Sequence, residues 1–92
     1  MPKVKRIVLD VLKPHNPNSL DFAKALADQK NQCNVKLTVE EMDEKTESIT
    51  LEIEGEDIQF NVIVDIIKNL GGSLHSIDMV EVEGAGASPN QE

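Results

Sequence analysis

The sequence predicts an α+β domain in which two helices cover one face of a four-stranded antiparallel sheet. Four segments alternate apolar and polar residues with the two-residue period of β-strands. Two other segments repeat apolar residues at the three- and four-residue spacing of a helix face. Short stretches rich in proline, glycine and charge separate these segments, which follow one another in the order β-α-β-β-α-β.

The first predicted strand covers residues 3–12, KVKRIVLDVL. Its alternation puts on one face Lys5, Ile7, Leu9 and Val11. The opposite face carries Val4, Arg6, Val8, Asp10 and Leu12. Because apolar side chains occur on both faces, we expect a central strand whose outer face is also partly covered. Pro14 and Pro17 are expected to end the strand and to stiffen the loop that follows it.

The first predicted helix runs from Leu20 to about Lys30. Asn18 or Ser19 is expected at its N-cap, because a short polar side chain there can accept a hydrogen bond from an otherwise unpaired amide. The apolar face of this helix carries Phe22, Ala25 and Leu26.

The second predicted helix is capped by Asp57 and ends at Gly71-Gly72, because glycine enters the left-handed conformation of a helix end without a Cβ clash. Its apolar stripe consists of Phe60, Ile63, Val64, Ile66, Ile67 and Leu70. The remaining strands are predicted at residues 34–42, 48–55 and 73–83. Residues 84–92, GAGASPNQE, have no periodicity and are expected to form a loose tail, so the predicted domain spans residues 1–83.

This order of elements is the split-βαβ, or ferredoxin-like, pattern. Right-handed crossovers predict the strand order 4-1-3-2, with both helices on one face of the sheet and the other face open. The open face is expected to carry Val4, Val8, Leu12, Val80 and Val82. An exposed apolar surface of this kind predicts that partner subunits cover it.

The composition of the chain argues against nucleic-acid binding and against a membrane span. The chain of 92 residues has a formal net charge of −8 and an aromatic content of 2%. It therefore lacks the basic surface and the stacking platforms that nucleic-acid binding needs. Apolar runs are too short for a membrane span. The single cysteine, Cys33, allows no internal disulfide and no paired thiolates, which favours a cytoplasmic protein.

Charge is also unevenly divided along the chain. Residues 1–39 contain seven Lys or Arg and three Asp, whereas residues 40–92 contain two Lys and fourteen Asp or Glu. Such polarity can draw subunits together head to tail, or it can simply keep an acidic surface solvated.

Three strings, KRIVLDVLKPHNP, IEGED and NLGGSLHSID, resemble a small archaeal family catalogued as domain of unknown function 211. The resemblance extends from about Lys3 to Val82. It implies a ferredoxin-like fold, a cytoplasmic archaeal protein and assembly into multi-subunit rings, and it implies no catalytic residues. A looser likeness exists to amino-acid-binding regulatory domains of the ACT type. Their glycine at the β1–α1 junction is replaced here by Pro14, Asn16 and Pro17.

A polar cluster is predicted on the open face of the sheet. The fourth strand is expected to run antiparallel to the first, with Leu74 beside Leu12 and Asp78 beside Val8. Burying an unpaired carboxylate is costly, so Asp78 is placed on the open face. Ser76 would share that face with Arg6, Val8 and Asp10, and the side chains pointing toward the helices would be His75, Ile77 and Met79.

Two interpretations of this cluster remain open. Arg6, Asp10 and Asp78 can form a cross-strand ion network at a subunit interface. Alternatively, Asp10 and Asp78 can contribute oxygen ligands to calcium or magnesium, for which the acidic segment EGED at residues 54–57 is another candidate.

His15 and His75 are candidates for a transition-metal site with a nearby carboxylate, because the end of the first strand should lie beside the start of the fourth. The alternative is a structural role for each histidine. No phosphate-binding glycine loop, nucleophile elbow or metalloprotease helix occurs in the sequence. Ser73 and His75 have no third group in view to orient them for serine catalysis.

These observations favour a non-enzymatic, ring-forming homo-oligomer that binds a small ligand or a metal ion between its subunits. Arg6, Ser76, Gly71 and Gly72 are the expected ligand or interface residues, and the expected assembly contacts are the open sheet face and the edge of the fourth strand. No cofactor is certain, although a divalent cation fits. An ACT-like module that binds an amino acid or a related metabolite is the second interpretation, and an enzyme of unknown reaction is the third.

Overall fold

The computed structural model describes residues 1–28 and 33–84. Its elements are β1 (Lys3–Pro14), α1 (Ser19–Ala27), β2 (Asn34–Met42), β3 (Thr46–Glu54), α2 (Phe60–Asn69) and β4 (Ser73–Glu83). The sheet has the order β2-β3-β1-β4, and all three pairings are antiparallel. The predicted ferredoxin-like α+β fold and its strand order are therefore confirmed.

One hydrophobic core lies between the sheet and the two helices. Alternate residues of the two central strands face it, namely Ile7, Leu9, Val11, Ile49, Leu51 and Ile53. The helices supply Phe22, Leu26, Ile63 and Ile67. All these side chains are at most 1% exposed, so burial of apolar surface is the main stabilising term of the fold.

Only some of the predicted helix ends are found in the structure. The Asn18 side chain accepts a hydrogen bond from the Asp21 amide at 2.8 Å, which confirms Asn18 as the N-cap of α1. This helix ends at Ala27, with Asp28 as its C-cap. Gly71 has a φ of +88°, as expected for a glycine that terminates α2.

Asp57 does not cap α2, so that prediction is wrong. The N-cap is Gln59, and its side chain makes no capping hydrogen bond. The preceding segment is held by β1 instead, since the Ile58 amide donates to the Val4 carbonyl at 2.8 Å. Ile58 is also buried in the core. The chain therefore cannot turn into a helix until it has passed Ile58.

The β1–β4 pairing is interrupted by three register shifts. They occur between Val4 and Arg6, between Val8 and Leu9, and between Asp10 and Val11. Each is a bulge or irregularity in which one strand contributes an extra residue. A strict two-residue alternation assumes an uninterrupted ladder, so the predicted alignment holds only in parts of the pairing, for example where Asp10 lies opposite Ser76.

Elsewhere the predicted alignment is wrong by one residue. Leu74 lies opposite Val11, and the residue opposite Val8 is Met79 instead of Asp78. Direct partners in an antiparallel pair share a face. Met79 therefore lies on the open face with Val8, although the sequence placed it toward the helices.

The predicted tail, residues 84–92, lies outside the described residues except for Gly84, which is exposed. The same is true of residues 29–32, which include the predicted end of α1. Within the two described ranges, no helix is long and apolar enough to cross a membrane.

Candidate functional site

The open face of the sheet brings together three of the predicted polar residues. Asp10 lies between Thr50 of β3 and Ser76 of β4. The Ser76 hydroxyl donates to the Asp78 carboxylate at 2.7 Å. Asp78 is exposed, which avoids the cost of burying an unpaired carboxylate.

Arg6 is paired with different carboxylates from those predicted. Its Nη2 atom lies 2.9 Å from Glu52 Oε1, and its Nη1 atom lies 3.7 Å from Glu54 Oε2. Both partners belong to β3, whereas the sequence suggested Asp10 and Asp78. Asp10 is four residues along the same strand, about 13 Å away at the usual rise, which is too far for a direct ion pair.

A small cleft adjoins Arg6 at the β2 edge of the open face. It has a volume of about 140 Å³ and is lined by Arg6, Asn34, Val35, Lys36, Glu52 and Glu54. The Arg6 Nε atom is buried and has no hydrogen-bond partner among the described residues. The two cations and two carboxylates of the lining cancel, so the cleft has no net preference for an anion or a cation.

His15 is turned toward the β2–β3 turn and not toward β4. Its Nδ1 atom lies 2.8 Å from Glu47 Oε2, and its Nε2 atom lies 2.9 Å from the carbonyl oxygens of Asp43 and Glu44. His75 is exposed on β4, on the other side of β1. The structure therefore does not bring the two histidines together as a ligand pair.

Metal-ligating side chains are not clustered in the described part of one chain. Residues 1–28 and 33–84 contain no group of three or more His, Cys, Asp or Glu side chains placed to hold a metal ion. In the EGED segment, Glu56 pairs with Lys5 at 2.9 Å, and Glu54 is a partner of Arg6. Their charges are already directed at neighbouring cations.

Sequence reasoning missed a buried ionic cluster next to His15. Lys13 is 0% exposed, and its Nζ atom donates to Glu47 Oε1 at 3.1 Å and to the Pro14 carbonyl at 2.8 Å. The same ammonium lies 5.7 Å from the centre of the Phe22 ring. The Ser19 hydroxyl is 3.4 Å from Glu47 Oε1. A signal was present in the alternation, because Lys13 continues the buried row of β1 and Glu47 precedes the buried row of β3 at the same spacing.

Hydrogen bonding shifts the ionisation of this cluster. The pKa of Glu47 is lowered, first by the hydrogen bond from His15 and then by that from Lys13, although desolvation opposes both. The pKa of His15 is raised, first by its hydrogen bond to Glu47 and then by the Glu44 carbonyl. Both ring nitrogens face oxygen acceptors, and only the imidazolium form can donate to all of them at once.

Gly71 and Gly72 are explained by close packing. A Cβ on Gly71 would lie 3.2 Å from Pro14 Cγ, and a Cβ on Gly72 would lie 3.0 Å from Ile67 Cγ2 and 3.3 Å from the Leu12 carbonyl oxygen. This segment therefore lies against the end of β1. The helix stop and the tight approach to β1 account for both glycines without a ligand.

An exposed apolar strip runs along the outer strand β4. It consists of Ile77, Val80 and Val82, which are 50%, 57% and 53% exposed. Their direct partners on β1 are Leu9, Ile7 and Val4. Because Ile7 and Leu9 face the core, this strip lies on the helix side of the sheet, in a part that the helices leave uncovered.

Sequence reasoning placed part of this apolar surface on the wrong side. Val80 and Val82 were expected on the open face, and the register shift next to Val8 moves them to the other. Val4 was also expected there, but it packs against the core. Val8 and Leu12 remain on the open face, among hydroxyl and charged side chains, and Leu12 is 42% exposed.

Comparison with known proteins identifies a family that matches most of this chain. Residues 5–86 match the model of domain of unknown function 211, described as uncharacterised ArCR. The chain belongs to this family. It is also similar to the uncharacterised protein MJ0319 of Methanocaldococcus jannaschii, with 46% identity over 80 residues that cover 87% of this chain and 82% of the relative. The predicted archaeal family is therefore confirmed.

Proposed function

We propose that this member of the family is a cytoplasmic, non-enzymatic homo-oligomer. In the proposed assembly, β4 of one copy pairs with β2 of the next, and the repeat closes into a ring. A small ligand or a divalent cation is held where two subunits meet. The observation that carries the proposal is the strip of Ile77, Val80 and Val82, about half exposed on a strand that is the edge of the described sheet.

Strand directions favour this pairing between copies of the chain. The two edge strands are β2 and β4, and the sheet alternates direction at each step, so β4 of one copy can continue antiparallel onto β2 of the next. An edge strand with free backbone groups is a ready template for such an addition. Pairing of this head-to-tail kind generates rings when the rotation between copies closes.

Matching apolar rows favour the same partner. The helix-side residues of β2 are Val35, Leu37 and Val39, of which Val39 is 38% exposed. The β4 strip lies on the same side of the sheet. Helix α1 packs over β2, so α1 of the neighbouring copy would cover a strip that its own helices leave uncovered.

A stable association between two copies requires that the edge strands pair along their length, because the apolar strip alone contributes too little free energy. Complete burial of one aliphatic side chain stabilises by about 1.5–3 kcal/mol, so burying the exposed half of three of them contributes roughly 2–4 kcal/mol. Association costs about 4–15 kcal/mol in lost freedom of motion. The strip alone does not offset that cost. Ladder hydrogen bonds, at about 1 kcal/mol each, and the β2 row must contribute as well.

The ligand part of the proposal follows from the assembly. Calcium and magnesium are bound by several oxygen atoms. The described residues of a single copy contain no group of three His, Cys, Asp or Glu side chains placed to hold a metal ion, so the proposed cation site is one to which a second subunit adds oxygen ligands. Asp78 and Ser76 on β4 are the residues that one subunit would supply, because they are hydrogen-bonded to each other beside the proposed boundary.

Native mass spectrometry of wild type and two variants tests the assembly. Val80→Lys places a charge in the strip, and the matched control Val62→Lys changes a valine that is 42% exposed on α2. We expect wild type and Val62→Lys to have the mass of a multimer and Val80→Lys that of one chain. A wild type with the mass of one chain would refute the assembly, and so would an unchanged multimer of Val80→Lys. Elemental analysis of the same samples reports any bound metal.

A further inference from the structure

Two loops at one end of the sheet are joined by a single side chain. His15 belongs to the loop between β1 and α1, and its ring lies against the β2–β3 turn. Its Nδ1 atom donates to a Glu47 carboxylate oxygen, and its Nε2 atom donates to the carbonyl oxygens of Asp43 and Glu44. All of these acceptors are oxygen atoms that carry no proton to donate in return.

We propose that His15 is a pH-sensitive latch, which in its imidazolium form fixes the β1–α1 loop to the β2–β3 turn and releases it on losing a proton. Neutral imidazole has one donor and one acceptor nitrogen. An acceptor nitrogen would then face either the Glu47 carboxylate or the turn carbonyls. The contact to the turn carbonyls is the one lost, because two acceptors repel each other and the ionised Glu47 carboxylate, the stronger acceptor, keeps the remaining N–H.

The charged groups around His15 make this release local. From β1, Lys13 donates to one oxygen of the Glu47 carboxylate, while His15 occupies the other. Ser19 of α1 also approaches Glu47, at 3.4 Å. The charged side chains of the turn itself are Asp43, Glu44 and Lys45, all of them exposed. When His15 becomes neutral, Glu47 keeps Lys13 as a counter-ion, so the buried pair remains and only the loop contact opens.

The direction of the pH response follows from the geometry. Hydrogen bonding to Glu47 and to the Glu44 carbonyl raises the pKa of His15 above its ordinary value. The stability that the contact contributes is complete below the ordinary histidine pKa of about 6.5 and is lost as pH rises through the higher pKa of the folded protein. The latch is closed below the pKa of His15 and open above it.

Nuclear magnetic resonance of the full chain tests the latch. We expect the pKa of His15 to lie above the ordinary histidine value of about 6.5. The Asp43 amide, which donates to the Thr46 carbonyl in the same turn, should exchange with solvent at least threefold faster above the His15 pKa, after correction for intrinsic exchange. In His15→Gln this exchange should be fast at every pH, whereas His75→Gln should behave as wild type.

Two results would overturn the latch. One is a His15 pKa at or below the ordinary value of about 6.5 in the wild-type protein, which needs no variant. The other is a wild-type pH dependence of Asp43 exchange in His15→Gln. If His15→Gln does not fold, the wild-type titration and the wild-type exchange profile still decide the question.

Discussion

Replacing Glu47 with alanine should destabilise the protein severely, because it leaves a buried ammonium without its counter-ion. Lys13 is 0% exposed, and Glu47 Oε1 is its carboxylate partner at 3.1 Å. Breaking a buried ion pair from one side typically costs about 3–5 kcal/mol. The Pro14 carbonyl, 2.8 Å from the ammonium, still accepts a hydrogen bond, so we expect about 3 kcal/mol.

The loss expected for Glu47→Ala is a large share of the total free energy of unfolding. A chain of 92 residues has a free energy of unfolding of roughly 5–14 kcal/mol at the usual value per residue. The urea slope of a small domain is about 1–3 kcal/mol per molar, so the unfolding midpoint of Glu47→Ala should fall by roughly 1–3 M. Circular dichroism at one fixed protein concentration measures it and keeps any effect of assembly constant.

Two further variants make the result interpretable. Glu52→Ala removes a carboxylate that lies 2.9 Å from Arg6 but is 30% exposed, and it should cost at most about 1 kcal/mol. The double variant Lys13→Met with Glu47→Leu should recover most of the lost stability, since buried pairs can often be replaced by apolar side chains. If Glu47→Ala is no less stable than Glu52→Ala, Lys13 is not a buried charge and the reasoning fails.

Gly71→Ala should lower the free energy of unfolding by about 1–2 kcal/mol, because φ is +88° and the new Cβ would lie 3.2 Å from Pro14 Cγ. Gly84→Ala, where a Cβ meets nothing within 4 Å, is the matched control and should be neutral in thermal unfolding. Asn18→Ala should cost about 1 kcal/mol by removing the N-cap acceptor, and an unchanged urea midpoint would contradict that role. Since the pKa of Glu47 is lowered, its contribution is present above the ordinary carboxyl range and is lost as pH falls through the lowered value. Urea midpoints from pH 2 to 6 should therefore decline less in Glu47→Gln than in wild type, and equal slopes would exclude the carboxylate as a source of acid lability.

The elements with strong local signals could be predicted from sequence. The bounds of β4 follow from alternation that begins after a glycine pair, and both central strands carry unbroken rows of aliphatic residues. Asn18 is a local signal as well, since its partner is the amide of Asp21 three residues on. The start of α2 escaped prediction because the tertiary contact of Ile58 with β1 overrides the local capping preference of Asp57.

Residues that depend on distant partners could not be placed. The bulges along β1–β4 are set by how two strands accommodate each other, and alternation within one strand does not record them. The buried state of Lys13 depends on Glu47, which is 34 residues away. For the same reason the sequence singled out His15 but assigned it to the wrong neighbour. Asp10 and Ser76 were placed opposite each other correctly, because the ladder is in its predicted register at that point.

The pairing of the first strand with the last also fixes how the molecule responds to mechanical force. Lys3 lies opposite Glu83, so the two ends of the folded domain leave the sheet side by side. A pull on both ends would separate β1 from β4 one hydrogen-bonded residue pair at a time, instead of loading many hydrogen bonds in shear at once. The three register shifts lie in this same pairing and interrupt its hydrogen-bonded ladder. Stretched from its ends, the domain should yield first by peeling away β4, at a lower force than if it were held through β2 and β4.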